Sequence, residues 1–505
     1  MHTKVQTDHF RFIIKSLIVG LVTGTVVSTF RFLIEKSVSG WQNVYQFAHT
    51  HLWILAIVLL VNILLALFIG YLSKKQPHIM GSGIPEVEGQ LKGQLKLSWW
   101  PILWRKFVGG ILAIGSGLFL GREGPSIQLG SSIGQGLGEK FEKSKPNQDI
   151  MIACGAAAGL AAAFNAPIAS TLFVLEEIYH NFSTMIWMTA LSASISSDFV
   201  AMQVFGLTPV LAVHPTAGFP LNSYWQLIIL GIVLGLLGRL YQIVLLAMPA
   251  IYRRLVPRLP RAFQGLIPFI LVIPIGFFWP QVLGGGNSTI IHMAKVHWGI
   301  TLLIGLFLLR FIFSMISYGS GLPGGIFLPI LTLGAIIGTA VGTVMCSLHL
   351  LPQSYIVDLL VFGMAGYFAC IGKAPFTAIL LITEMVGSLQ HLMPLALTSL
   401  VAYVVVDLLG GAPIYESLLE RMQLGQKIQS YSDNNERISV PVFNDSQLIN
   451  QQVRDIRWPK NSLLISITRG EHKIVPRGDT NIQVGDTLTF STNEKDRKII
   501  KKLIK

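Results

Sequence analysis

Charge is scarce in this chain. Only 12% of its 505 residues are Asp, Glu, Lys or Arg, about half the share usual in a soluble domain. That shortage excludes a chain built only of water-facing globular domains. Acids are scarcer than bases, 25 against 38, for a net charge of +13. Cysteine is nearly missing: Cys154, Cys346 and Cys370 lie far apart in apolar segments, a spacing that fits neither a disulfide framework nor a zinc site. They read as buried small residues. The twelve histidines show no metal-ligand spacing and read as interfacial or surface residues. No metal or cofactor is expected from these patterns. A cleavable signal is also lacking, because Lys4, Arg11 and Lys15 precede a helix-length apolar run without a convincing cleavage site.

Apolar sequence is what the chain has in plenty, at 52%. Trp53 to Leu72 is nearly uninterrupted and long enough to cross a hydrocarbon core of roughly 30 Å. Comparable runs cover 13–34, 104–120, 184–206, 223–250, 262–283, 300–318, 327–350, 355–385 and 392–410. The expected fold class is an all-α polytopic membrane protein. Basic residues gather at Lys74-Lys75, Arg253-Arg254, Arg258 to Arg261 and beyond Arg421, whereas 209–224 and 280–294 carry none. This is the positive-inside pattern, with both termini cytoplasmic in a multi-pass protein of the cell membrane. A nucleic-acid partner is not expected, since no compact basic fold with interleaved aromatics is present.

The chain repeats itself. Gly115-Ser116-Gly117-Leu118 returns 204 positions later as Gly319-Ser320-Gly321-Leu322, and Gly121, Pro125, Gly130 and Gly134 match Gly325, Pro329, Gly334 and Gly338. At an offset of 208, Gly155, Ala166-Pro167 and Glu176 match Gly363, Ala374-Pro375 and Glu384. Duplicated apolar segments broken by Gly and Pro point to two repeats, with cores near 80–210 and 285–415, whose helices break near the bilayer midplane. In transporters such broken helices hold the substrate.

Three glycine-rich segments end in a proline where a helix would begin: Gly81-Ser82-Gly83-Ile84-Pro85, Gly121-Arg122-Glu123-Gly124-Pro125 and Gly324-Gly325-Ile326-Phe327-Leu328-Pro329. Helix starts carry positive potential and unpaired N–H groups, which suits an anion. Glu123 stands in apolar sequence, where an acid costs about 2.5–3.5 kcal/mol and marks a functional site by default. Its repeat counterpart is Phe327, so helix geometry does not require an acid there. Ionised, Glu123 would compete for the anion's seat; protonated, it would swing away. Of the pair Glu176-Glu177, Glu176 matches Glu384 and suits a shared capping or pairing role at a helix end. Glu177 matches Met385 and is either functional or a solvated acid. Gly130-Ser131-Ser132-Ile133-Gly134 fits the G-x-S-x-G hydrolase pattern. Its copy, Gly334-Ala335-Ile336-Ile337-Gly338, keeps both glycines and loses the serine, so the glycines read as helix-packing residues and not as part of an enzyme's nucleophile turn.

Residues 1–424 therefore read as a transport domain, 425–436 as a polar linker and 437–505 as a small cytosolic α/β module. In that module Leu463, Ile465 and Ile467, then Leu488 and Phe490, alternate as half-buried strands. Arg477-Gly478-Asp479 and Gly485-Asp486 form turns, and Thr492-Asn493 starts a closing helix.

The motifs GSGIPE at 81–86, GREGP at 121–125 and GIFLP at 325–329, the two Ala-Pro elements and Tyr415 together resemble the CLC family of chloride channels and proton-coupled chloride antiporters. The resemblance covers about residues 10–424. It implies an inverted-repeat homodimer in the bilayer, with one pathway per subunit, carrying chloride and protons. Ser82 and Tyr415 would donate hydroxyls to chloride, joined by the backbone N–H groups of Ile326 and Phe327. For Ser82 a helix cap, and for Tyr415 an interfacial aromatic, are the plainer alternatives. Glu123 would be the gate and external proton acceptor, and Glu177 the internal proton-transfer acid. An acid at Glu177 favours exchange; a passive voltage- or pH-gated chloride channel is the alternative. A serine in the first motif favours chloride and argues against a fluoride exporter. No TVGYG-type filter occurs, which argues against potassium handling. The stretches Ile465 to Arg469, Ile474 to Thr480 and Val484 to Leu488 resemble the C-terminal subdomain of RCK proteins. That resemblance implies a dimer clamp or a sensor of a small ligand such as a cyclic dinucleotide.

Overall fold

The computed structural model describes residues 2–179, 183–216, 218–427, 436–442, 446, 448–459, 462–470, 472–492, 496, 499–500 and 503–504. The chain divides into two compact units, Met1–Arg421 and Met422–Lys505. In chain order the helices are α1 (His2–Ala48), α2 (Ile54–Lys75), α3 (Ile84–Leu91), α4 (Trp99–Gly115), α5 (Glu123–Phe141), α6 (Lys145–Phe164), α7 (Pro167–Phe173), α8 (Thr184–Phe205) and α9 (Tyr224–Leu255). They continue with α10 (Leu266–Phe278), α11 (Asn287–Lys295), α12 (Ile300–Gly319), α13 (Phe327–Ser347), α14 (Ile356–Gly372), α15 (Pro375–Val386), α16 (Leu392–Leu408) and α17 (Ile414–Lys427). Eight helices among the described residues are long and apolar enough to cross a membrane. Their outward faces carry Leu60, Leu64, Phe199, Leu236 and Ile312, all exposed.

The two repeats pack in the same way. A Cβ added to Gly130 of α5 would stand 2.0 Å from the Gly155 carbonyl oxygen of α6. The matching Gly334 of α13 stands against Gly363 of α14, where a Cβ would come within 2.4 Å. One turn further on, Gly134 lies on Met151 and Gly338 on Leu359. Backbones this close leave no room for any side chain, so the duplicated glycines are helix-packing residues. Ser132, at the centre of the hydrolase-like pattern, lies mid-helix and donates to Gln128 O at 2.8 Å.

Breaks fall where Gly and Pro place them, and one splits an apparent span. The 355–385 run is two helices, α14 and α15, because Lys373 is left-handed at φ 62° and Pro375 forbids continuation. The break at Asn165, also left-handed, separates α6 from α7 in the same way. Cys154 and Cys370 are buried, whereas Cys346 is only half-buried near the end of α13. The interfacial reading of the histidines fails at His391. It is buried, with Nε2 2.9 Å from Asp358 Oδ1, because the start of α16 folds back against α14.

The second unit holds a four-stranded antiparallel sheet in the order β1-β4-β2-β3, from β1 (Glu436–Pro441), β2 (Ser462–Arg469), β3 (His472–Ile474) and β4 (Thr487–Thr492). Leu488 and Phe490 face the core as the alternation predicts. In β2 the expected face is corrected. Leu463 is exposed and Leu464 packs on the core, because a bulge between Leu464 and Ser466 resets the register before buried Ile467. Most of the linker, 428–435, and Asn493 of the expected cap lie outside the described residues.

Candidate functional site: converging helix starts

Three loops that precede helices are tied together by backbone hydrogen bonds. Gly121 and Gly325 exchange N–H···O bonds, each 2.7 Å, so the segments leading into α5 and α13 pair as a short antiparallel bridge. Gly81 N donates to Leu322 O at 3.2 Å, and Gly324 N donates to Gly81 O at 3.0 Å, which joins the segment leading into α3. Gly81 and Gly83 have φ of 65° and 93°, backbone that only glycine adopts without strain. The prolines 85, 125 and 329 all lie in the first helical turn. Three helix starts therefore meet, each presenting first-turn amides that have no acceptor within their own helix.

Ser82, Glu123, Ile326 and Phe327 sit at this junction. A Cβ on Gly124 would come within 2.2 Å of Ser82 Oγ, so Ser82 lies directly on the first turn of α5. Its Oγ accepts from Ile84 N at 3.5 Å, which leaves the hydroxyl proton free to donate elsewhere. Glu123 is fully buried, and among the described residues neither carboxylate oxygen closes a hydrogen bond of good geometry. The amides of Glu123 itself and of Leu328 face it. Ile326 caps α13 and Phe327 opens it.

Tyr415 begins a fourth converging helix, α17. It is fully buried and its hydroxyl has no protein partner among the described residues. Buried hydroxyls are nearly always paired, so this orphan beside the converging helix starts is an exception among the described residues. Its ring meets Phe173 edge-on at 6.3 Å, Phe173 meets Phe327 at 6.0 Å, and Phe327 stacks on Phe368 at 4.2 Å. This aromatic wall joins α17 to α13 by way of α7. Tyr415 is in electrostatic reach of both Glu177 and Glu123.

Glu177 occupies a π-helical turn, Val174–Tyr179, that follows α7. It is buried, against the solvated alternative, and lies near Glu88, Glu176, Glu416 and Lys92. Lys92 Nζ is 2.6 Å from Glu88 Oε1 and 3.6 Å from Glu416 Oε1. Adjacent residues on a helix point roughly 100° apart, so the two acids meet different surroundings. Glu176 turns to α15, while Glu177 turns inward.

Other residues at the site escaped the sequence reading. Lys106 of α4 is buried, and its Nζ donates to Ile79 O at 2.9 Å and Gly81 O at 2.7 Å, so it holds the loop that carries Ser82. Arg310 of α12 is buried too and donates to Gly284 O, Val282 O and Thr289 Oγ1. For Arg310 the available signal is a lone base inside an apolar run; Lys106 lies beside Arg105 and carries no such mark. Arg122 does not pair with its neighbour Glu123; its Nη1 donates to Glu35 on α1.

An apolar helical body with two like-built halves, and several helix starts aimed at one buried spot, defines a membrane transport protein for a small anion. The family model for the voltage gated chloride channel matches residues 65–407, and the chain belongs to that family, the CLC proteins. The TrkA-C domain model matches residues 437–505. An H(+)/Cl(-) exchange transporter, ClcA, of Klebsiella pneumoniae strain 342 is 34% identical over 431 residues, which are 82% of this chain and 90% of that protein. The ClcA of Salmonella paratyphi B is 34% identical over 435 residues, 83% of this chain and 91% of that one. Among solved structures, a slow cyanobacterial Cl-/H+ antiporter superposes with a TM-score of 0.78 at 32% identity, covering 83% of this chain and 99% of that chain. A CLC-type fluoride/proton antiporter shares the fold at a TM-score of 0.64 and 22% identity, covering 79% of this chain and 95% of the other.

Proposed function

We propose that this protein exchanges chloride for protons across a membrane. The observation that carries the reading is the junction of helix starts, knitted by the Gly121–Gly325 and Gly81–Gly324 backbone bonds, around the buried Glu123 carboxylate, which the amides of its own helix start and of α13 face. Positive helix ends attract chloride without the tight grip of a formal charge, so the ion can both enter and leave. Ser82, Tyr415 and the amides of Ile326 and Phe327 replace part of its hydration shell. Ionised Glu123 is drawn to the same helix ends and closes the path; a proton removes that attraction and the path opens. Glu177 takes the proton onward toward the cytoplasm, past the Glu88, Lys92 and Glu416 cluster. The relatives named exchange transporters support coupling over passive conduction.

The protein acts as a homodimer in the cell membrane with both termini cytoplasmic, in keeping with its basic loops. The 437–505 domain tunes transport by dimerising or by taking up a small ligand such as a cyclic dinucleotide. The deciding experiment measures chloride and proton flux together on the reconstituted protein. An imposed chloride gradient drives protons uphill if the reading holds. Chloride flux with no proton movement would make the protein a passive channel.

A further inference from the structure

Arg122 precedes Glu123 in sequence, yet its guanidinium turns to another acid. Nη1 donates to Glu35 Oε1 on α1, and the same oxygen accepts Arg31 Nε at 3.1 Å. Arg31 is itself fixed, with Nη1 2.6 Å from Asn165 Oδ1 and its guanidinium 3.8 Å from the Phe205 ring centroid. Glu35 and Arg122 line a cleft of about 220 Å³ whose wall also includes Leu120, Gly285 and Leu328. Arg122 and Leu328 border Glu123 as well, so the cleft opens beside the gate carboxylate. The Glu35 side chain is 42% exposed and that of Arg122 only 7%. Glu35 therefore stays partly hydrated while it holds a buried cation.

Two carboxylates thus compete for one guanidinium. A buried guanidinium needs a partner, and without Glu35 the nearest acid on its own segment is Glu123. We propose that Glu35 is a positioning residue for the gate: it keeps Arg122 at the cleft and away from Glu123, and so sets the acidity at which the path opens. This inference rests on the reading of Glu123 as the gate. The charged groups around Glu35 are Arg31 on its own helix and Arg122 at the start of α5, with Asp198 of α8 acting on Arg31. Loop 283–288 adds only the neutral Asn287 and Ser288 to the cleft. Glu123 faces Arg122, more weakly Arg31, and the Tyr415 hydroxyl.

The test follows chloride efflux from proteoliposomes across a range of pH. In Glu35→Gln a negative charge is lost and Arg122 is released toward Glu123. Both changes favour the ionised gate, so the midpoint of activation moves to lower pH by about half a unit to one unit. Glu35→Asp restores most of the wild-type midpoint. Arg122→Gln, which tests the same claim whether or not Glu35→Gln folds, moves the midpoint to higher pH. An unmoved midpoint in these variants, with rates merely lowered at every pH, overturns the inference, because a structural role predicts only that. Glu123→Gln separates the two levels. If it is insensitive to pH while Glu35→Gln stays unshifted, only the role of Glu35 is lost; if it keeps the wild-type profile, the gate reading falls and this inference with it.

Discussion

Glu176 and Glu384 cap each other's half of the molecule. Glu176 Oε2 accepts from Thr377 N at 2.8 Å and from Thr377 Oγ1 at 2.6 Å, at the start of α15. Glu384, at the matching position of the second repeat, accepts from Ala169 N at 2.8 Å and Ile168 N at 3.2 Å, at the start of α7. The exchange is reciprocal because an inverted repeat brings the end of each short helix to the beginning of its counterpart. The shared capping role expected from the repeat is what the two side chains perform.

Losing either cap should cost about 1 kcal/mol, the usual worth of a side chain that satisfies first-turn amides. Glu176→Gln and Glu384→Gln should lower thermal stability in detergent by similar amounts, with transport intact at low temperature. A large loss for one and none for the other would contradict the symmetry.

Glu123→Gln should yield chloride flux that no longer depends on pH and moves no protons, since an amide cannot be drawn to the helix ends as an anion. Paired chloride and proton electrodes on proteoliposomes read both at once. Proton coupling that persists would remove Glu123 from the mechanism.

Glu177→Gln should separate the two fluxes differently. It belongs to none of the three helix starts tied together at Gly81, Gly121 and Gly325, so chloride flux should continue while uphill proton transport falls at least tenfold. Intact coupling in this variant would assign the inner proton step elsewhere.

Two glycine substitutions should fail for different reasons. In Gly124→Ala the new methyl would meet Ser82 Oγ at 2.2 Å and the Ser82 carbonyl oxygen at 2.8 Å, so the Ser82 loop must shift and chloride affinity by calorimetry should fall. In Gly334→Ala the methyl would meet the Gly363 carbonyl oxygen at 2.4 Å. Backbone cannot yield as a side chain does, and overpacking of about 1–3 kcal/mol should appear as lost stability.

In the C-terminal unit, Asp486 is buried and accepts Arg469 Nε and Nη2, each at 2.8 Å, and Gln483 N at 2.9 Å. These bonds hold the Arg469 pKa above its ordinary value. Asp486→Asn should destabilise this unit by about 1.5–3 kcal/mol, the worth of hydrogen bonds to a charged group. Faster amide exchange across β2 and β4 in the full-length protein would report it.

The repeat, the broken helices and the glycine packing were legible because each depends on a residue type that backbone geometry demands in place. Gly121 and Gly325 announce a close approach, and Pro85, Pro125 and Pro329 announce helix starts. Strand β4 was legible from its alternation. Strand β2 was not, since a bulge shifts the face without leaving a mark in composition. Lys106, Arg310 and Glu35 have partners that come from other segments of the chain, and no local spacing in the sequence marks such a pairing. His391 was misplaced because only the fold-back onto Asp358 buries it.

By itself the amino-acid sequence determined where helices stop, which segments are copies and which acid has no structural counterpart, because these follow from local sterics and from period. Tertiary structure decided which helix starts share one junction, which carboxylate holds Arg122 and which amides Glu176 and Glu384 cap. Those pairings join residues up to about 240 positions apart, as in the Gly324–Gly81 bond, and attraction between such groups acts only once packing has brought them within a few ångströms.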